Sequence, residues 1–284
     1  MTNPLPYFPF GQQFDLRMGT SAFKADDRLI EVDQDYDHEI SEKKKILDSD
    51  HRYYYRSAEG SDAAQWDVLK LLLENLVRFQ PDLFKLEING DEWQWHNGKT
   101  GEDFHFIYGK KDTLPFEPLD WAGRQVQEDL VILSNDDSAT LIAGQLCFAN
   151  GYSLDDKYGQ PFLTIHAPAP KMIGPTMLAA QKLMERIPVN RSVWRASWNF
   201  KISDELDLSS RHNKRYGEEL AVVAPTLTTA NIGSRLYIRI ERQTLTRLSP
   251  SNCILFGIHT YMNLLEDEAG DPAKAATLRE RRPS

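Results

Sequence analysis

The sequence predicts an α+β protein whose core is an antiparallel five-stranded sheet with helices on one side, preceded by a largely helical N-terminal extension. Three observations carry this. Five strand-like runs follow residue 119, and short stretches of turn formers join the first two and the last two. A crossover holding one patterned helix separates the second run from the third. The first 118 residues are instead aromatic-rich and mostly helical in pattern. The expected organisation is an extension over 1–118 packing on the core, a core over 119–265, and a charged, frayed tail over 266–284 that is poor in large apolar side chains.

Each element has its own signal. Asp35 to Leu47 is a short charged helix, and Trp66, Leu69, Leu72, Leu73 and Leu76 form a helical stripe ended by Pro81. Tyr53-Tyr54-Tyr55 reads as a short strand or an interface patch. Trp93 to Gly98 runs into an Asn-Gly turn, with Asp103 to Tyr108 returning as the second strand of a hairpin. In the core, Asp129 to Leu133 and Ala139 to Phe148 flank Asn135-Asp136-Asp137-Ser138 and should pair as another hairpin. Gly174-Pro175 starts a helix, proline being suited to the first helical position. On it Ile173, Met177, Ala180, Met184 and Ile187 line one face before Pro188. Val193 to Phe200, Ser234 to Leu248 and Cys253 to Met262 complete the strands.

Composition excludes several classes. A net charge of −9 in 284 residues argues against non-specific nucleic-acid binding, which depends on Lys and Arg neutralising phosphates. No apolar run approaches the ~18 residues that cross a bilayer. Met1 to Pro6 lack the basic start and apolar stretch of a secretory signal, so a cytoplasmic protein is expected. The two cysteines, Cys147 and Cys253, sit in apolar runs and read as buried structural thiols; two are too few for a four-cysteine cluster or zinc site. Patterns for phosphate loops, dinucleotide folds, nucleophile elbows and zinc proteases are all missing.

Two segments can carry chemistry. In Thr164-Ile165-His166-Ala167-Pro168-Ala169-Pro170, the prolines push Ala167 and Ala169 toward extended backbone and stiffen the surroundings of His166, a candidate metal ligand. The helix stripe that follows is core, or one wall of a flat apolar cofactor, since methionine adapts to irregular surfaces. The run from Arg235 to Arg247 is unusually polar. Its alternation puts Tyr237, Arg239, Glu241 and Gln243 on one face, either a solvated face with surface ion pairs or a buried pair in a cavity. Arg195, between Trp194 and Trp198, faces solvent or a bound anion. His38, His51, His96, His105 and His212 lie in contexts suited to surface or structural roles, while His259 lies within a strand.

Read in order, several blocks resemble one family. They are Tyr7-Phe8-Pro9-Phe10 with Arg17-Met18-Gly19, Gln127-Glu128-Asp129-Leu130, Lys157-Tyr158-Gly159-Gln160-Pro161 leading into Ile165-His166-Ala167-Pro168, Trp194-Arg195-Ala196-Ser197-Trp198, and Arg239 to Leu245. The chain resembles the α subunit of the haem-dependent oxidative N-demethylases. Ala169 and Lys171 replace a valine and a glycine of the family pattern, and His259 stands where an arginine is frequent. The resemblance implies a PAS-like haem-binding fold and oxidation of dimethylamine by dioxygen. It implies a b-type haem on His166, enclosed by Met177, Met184, Trp194 and Trp198 and contacted by Arg195. Tyr237, Arg239 and Glu241 are then the candidate catalytic residues, Arg239 stabilising negative charge as dioxygen reacts and Glu241 holding the cationic amine. FMN, a [2Fe–2S] centre and tetrahydrofolate are expected on partner subunits, namely reductases and a folate-binding subunit. A PAS-like haem sensor without turnover and a non-haem binding protein are the alternative readings.

Overall fold

The computed structural model describes residues 19–167 and 174–270. The Tyr7-to-Met18 block, the prolines Pro168 and Pro170 and the tail beyond residue 270 lie outside the described residues.

Along the chain, β1 (Ser21–Ala22) leads through a loop to α1 (Tyr36–Tyr54), which runs past the expected Leu47 and kinks at Asp50. The tyrosine run ends that helix and opens β2 (Tyr55–Ser57). The stripe from Trp66 lies on α2 (Asp62–Phe79), where Val68, Leu69, Leu72 and Leu73 are fully buried. Each such side chain contributes roughly 1.5–3 kcal/mol by leaving water. The expected hairpin is β4 (Glu92–Asn97) with β5 (Glu102–Ile107), extended to a separate three-stranded sheet by β3 (Phe84–Asn89). After α3 (Pro118–Gly123) come β6 (Asp129–Leu133) and β7 (Leu141–Gln145), paired antiparallel as expected. The crossover holds α4 (Leu154–Lys157), α5 (Phe162–His166) and α6 (Gly174–Arg186). Then follow β8 (Ser192–Lys201), α7 (Asn213–Val223), β9 (Tyr237–Arg247), β10 (Ile254–Leu264) and α8 (Leu265–Ala269).

The five expected core strands lie side by side, but the sheet has seven strands, in the order β1-β8-β9-β10-β6-β7-β2, all antiparallel. It is therefore not a five-stranded PAS sheet. Both added strands come from the first 57 residues and occupy the two edges, where they satisfy backbone groups that would otherwise be open. Two- and three-residue strands carry no readable period, which is why sequence patterning passes over them.

Helices also cover both faces rather than one. Alternation along the strands sends Leu130, Ile132, Ala143 and Leu255 into a core shared with Leu47 of α1, Leu69 and Leu72 of α2 and Trp121 of α3. It sends Val131, Leu133, Leu141, Ile254 and Ile258 the other way, against Phe162, Ala180 and Met184. Both cysteines are buried and unbridged, as their apolar contexts suggested. Among the described residues, no helix is long and apolar enough to cross a membrane.

Candidate functional site

The second face of the sheet carries the site. Cross-strand register places Arg195 beside Gln243 and Ser197 beside Glu241, while Ile258 of β10 also faces Gln243. Paired residues share a face, so this polar group and its apolar neighbours look toward α5 and α6. Between them lies a cavity of about 250 Å³. Leu141, Phe162, Ile165, Leu245, Phe256 and Ile258 supply apolar wall, and Lys157, His166, Arg195, Glu241 and Gln243 supply the polar groups.

His166 is the last residue of α5. One helical turn back, the Phe162 carbonyl accepts a hydrogen bond from its Nδ1 at 2.8 Å, and the Phe162 ring lies 4.5 Å from the imidazole. Burial pushes the imidazole pKa below its usual value; the carbonyl contact opposes this, whereas the nearby charges of Lys157 and Arg195 reinforce it. At neutral pH the ring is thus neutral, and with Nδ1–H committed to the carbonyl the lone pair resides on Nε2. Lys157 Nζ donates to the Ile165 carbonyl at 2.7 Å and ties α4 to the end of α5. The expectation of extended backbone at Ala167 is overturned: its φ and ψ of −57° and −32° are helical. The C-terminal turn of α5, rather than an extended proline frame, directs His166.

On β9 the polar residues form a chain. Arg195 Nε donates to Gln243 Oε1 at 2.8 Å, Gln243 Nε2 donates to Glu241 Oε2 at 3.2 Å, and Arg239 Nε donates to Glu241 Oε1 at 3.2 Å. Glu241 is 7% exposed, so this is the buried-pair alternative and not a solvated face.

The structure brings together His166, Met177, Arg195 and Glu241 around the cavity, and sets the other candidates elsewhere. Arg239 is fully buried beneath the site, donating to the carbonyls of Phe148 and, at 2.9 Å, Leu206, and to Thr260 Oγ1 at 3.3 Å. Its guanidinium is committed to the backbone, to Thr260 and to Glu241, and it does not line the cavity. Tyr237 begins β9 opposite Lys201, four pairs before Glu241, and is not a wall residue. Trp194 and Trp198 pair with Thr244 and Ile240, on the opposite sheet face from Arg195, and do not line the cavity. Period-two alternation forces that separation. Met184 is buried on α6 within the apolar cluster without lining the cavity. Sequence reading missed Phe162 and Lys157 as parts of the site; the four-residue spacing of Phe162 and His166 was the available signal.

Because fully buried Arg239 holds two backbone carbonyls and the Glu241 carboxylate, Arg239→Ala is expected to destabilise the protein by ~3–5 kcal/mol. Urea unfolding checks this, and a loss below ~1 kcal/mol would place those contacts among dispensable ones.

An apolar cavity under a mixed-polarity sheet face, entered by one neutral imidazole, defines a protein that binds a cofactor or small molecule. A family model described as haem-dependent oxidative N-demethylase, alpha subunit-like, matches residues 21–281, and the chain belongs to that family.

The donor chemistry fits a haem. A neutral histidine is one of the proximal ligands that porphyrin iron takes, and donation from its other ring nitrogen to a carbonyl is a usual means of orienting such a histidine. Lys157 and Arg195 at the cavity would supply positive charge to haem carboxylates. Volume is the tighter constraint. About 250 Å³ lies below the roughly 300–1,000 Å³ of sites that enclose a ligand, so enclosing a porphyrin requires the α5–α6 wall to stand further from the sheet.

Proposed function

We propose that this chain is a haem-dependent oxygenase that removes a methyl group from a small secondary amine of the dimethylamine kind. The reading rests on one observation above the others, the neutral His166 ring whose Nδ1–H is held by the Phe162 carbonyl within an apolar cavity. When bound, haem supplies the dioxygen chemistry that oxidises an N-methyl carbon. Amine, dioxygen, two electrons and two protons give a primary amine, formaldehyde and water.

The protein's own groups have separable tasks. His166 would hold the iron, its direction set by the Phe162 carbonyl and by the Lys157 clamp on Ile165. Arg195 has Nε bound to Gln243, and its terminal N–H groups make no hydrogen bond to the described residues, so they are available to a haem carboxylate. Glu241 provides the negative charge for a protonated amine, with Gln243 and Arg239 holding its two oxygens in place. Leu245, Phe256 and Ile258 exclude water and strengthen that attraction. The two electrons come from reductase subunits carrying FMN and a [2Fe–2S] centre, and a folate-binding subunit captures the formaldehyde. A sheet of seven strands in place of five leaves this reading intact, since it rests on the site.

The test is direct. Protein reconstituted with haem should show a Soret band, and with an electron donor it should release formaldehyde only when a secondary amine is added. A haem-loaded protein that never turns over any secondary amine sinks the enzyme reading; failure to take up haem at all sinks the haem assignment.

A further inference from the structure

We infer that the chain carries a second ligand site, for a phosphorylated aromatic molecule of the nucleotide class, in the groove between α2 and the connection from α6 to β8. The groove measures about 1010 Å³ and shares no lining residue with the His166 cavity. It is far too large for a lone phosphate. Its floor is apolar, with Leu71, Phe79, Leu183, Ile187, Val193 and Leu248.

The charges around it are unbalanced in a way the whole chain is not. Three carboxylates line the groove and each is engaged: Asp67 accepts from the Ser251 N–H at 2.9 Å, Asp27 from the Lys24 N–H at 2.8 Å, and Glu74 faces Lys70 Nζ at 3.9 Å. Lys24, Arg78, Arg186 and Arg191 also line it, and among the described residues none of these four has a carboxylate partner. In a chain of net charge −9, five cations and three carboxylates line one concavity, a local excess of positive charge. They come from three separate segments, β1's following loop, α2, and the α6–β8 connection, so no single solvated helix face accounts for them.

An occupant must satisfy both halves of this lining. An apolar body alone would leave the cations unanswered, and a free anion would leave the floor wet. A nucleotide offers a planar ring to the apolar floor and phosphate oxygens to the rim, where arginine binds phosphate through paired N–H groups. The −9 background makes the attraction local, so it should weaken with salt.

The probe is ATP, titrated by calorimetry into the full chain, with inorganic phosphate as the comparison. Saturable one-to-one binding is expected, weakened about ten-fold or more in R186E/R191E and again in R78E, which attacks the opposite wall. All three arginines are exposed, so folding is not at stake. Lys214→Glu, on the exposed α7 with a side chain 90% accessible, should leave binding unchanged. No saturable binding, equal loss in the Lys214 control, or phosphate binding as tightly as ATP would each overturn the assignment. None of these readouts uses haem or amine turnover, so failure here is distinct from failure of the demethylase reading.

Discussion

Replacement of His166 by alanine is expected to abolish the Soret absorption of the haem-reconstituted protein and, with it, all amine-dependent formaldehyde release. The expectation is large because the protein offers one imidazole at the cavity, and its ligand atom is already selected: Nδ1–H is bound to the Phe162 carbonyl and the neutral state is favoured by burial. The fold should survive. His166 is half-buried and gives up one hydrogen bond at a helix end, a change worth about 1 kcal/mol. Exogenous imidazole should restore part of the Soret band by filling the vacated space. A band of unchanged position and intensity in His166→Ala would mean that some other residue holds the haem.

The second large effect lies across the sheet. His259 faces away from the cavity, pairs across strands with Arg242, and is completely buried. Its Nδ1 donates to Glu128 Oε1 at 3.1 Å and its Nε2 donates to Asp33 Oδ2 at 3.2 Å, with the Tyr261 ring stacked 4.4 Å away. With both nitrogens donating, the ring is an imidazolium. Burial alone would lower its pKa, but the Glu128 charge and the two hydrogen bonds lift it well above the usual value. Glu39 also faces this cluster, and burial raises it to about 7 against the pull of His259 and Gln127. Asp33 moves down: burial would raise it, and its bonds to His259 and Gln127 outweigh that. Lys43 donates to the Glu128 carbonyl at 2.6 Å, and Arg242 Nε lies 3.6 Å from Glu31.

Removing the cation leaves buried Glu128 and part-buried Asp33 without it, so His259→Ala should cost ~3–5 kcal/mol in urea unfolding. The pH dependence follows from the signs. A raised histidine pKa gives stabilisation that is complete below about 6.5, the value in the unfolded chain, and is lost as pH rises through the folded pKa. Glu39, also raised, adds a loss of stability between its ordinary value and about 7, in the same direction. Asp33, lowered, acts oppositely, and its contribution disappears in acid. Unfolding measured from neutral to alkaline pH should therefore show falling stability, and His259→Gln should flatten that limb. A limb of the same slope in the variant would place its origin elsewhere. The two carboxylates account for a cation at this position, which lies on the opposite sheet face from the His166 cavity.

Much of the site was legible because the relevant signals are local. Period-two alternation from Tyr237 to Gln243 put Glu241 and Gln243 on one face, and they are on one face of the cavity. The same rule, carried to β8, separates Arg195 from Trp194 and Trp198. Arg239 shows the opposite case. It shares the face of Glu241, yet it reaches Phe148 and Leu206, residues 91 and 33 positions away in the chain, and so sits beneath the cavity instead of in it. No pattern within a strand reports which carbonyl of a distant loop will arrive.

By itself, the sequence determined the α+β class, the five central strands with the helix that crosses between them, the burial of both thiols, and the histidine that enters the cavity. These follow from periodicity, turn chemistry and apolar context, all of which act over a few residues. Only the tertiary structure decided that β1 and β2 close the sheet edges, that helices cover both faces, that Arg195 and not Arg239 lines the cavity, and that His259 belongs to a buried carboxylate cluster. Those outcomes depend on contacts between residues tens to hundreds of positions apart, whose free energy is set by mutual burial and charge rather than by any local propensity.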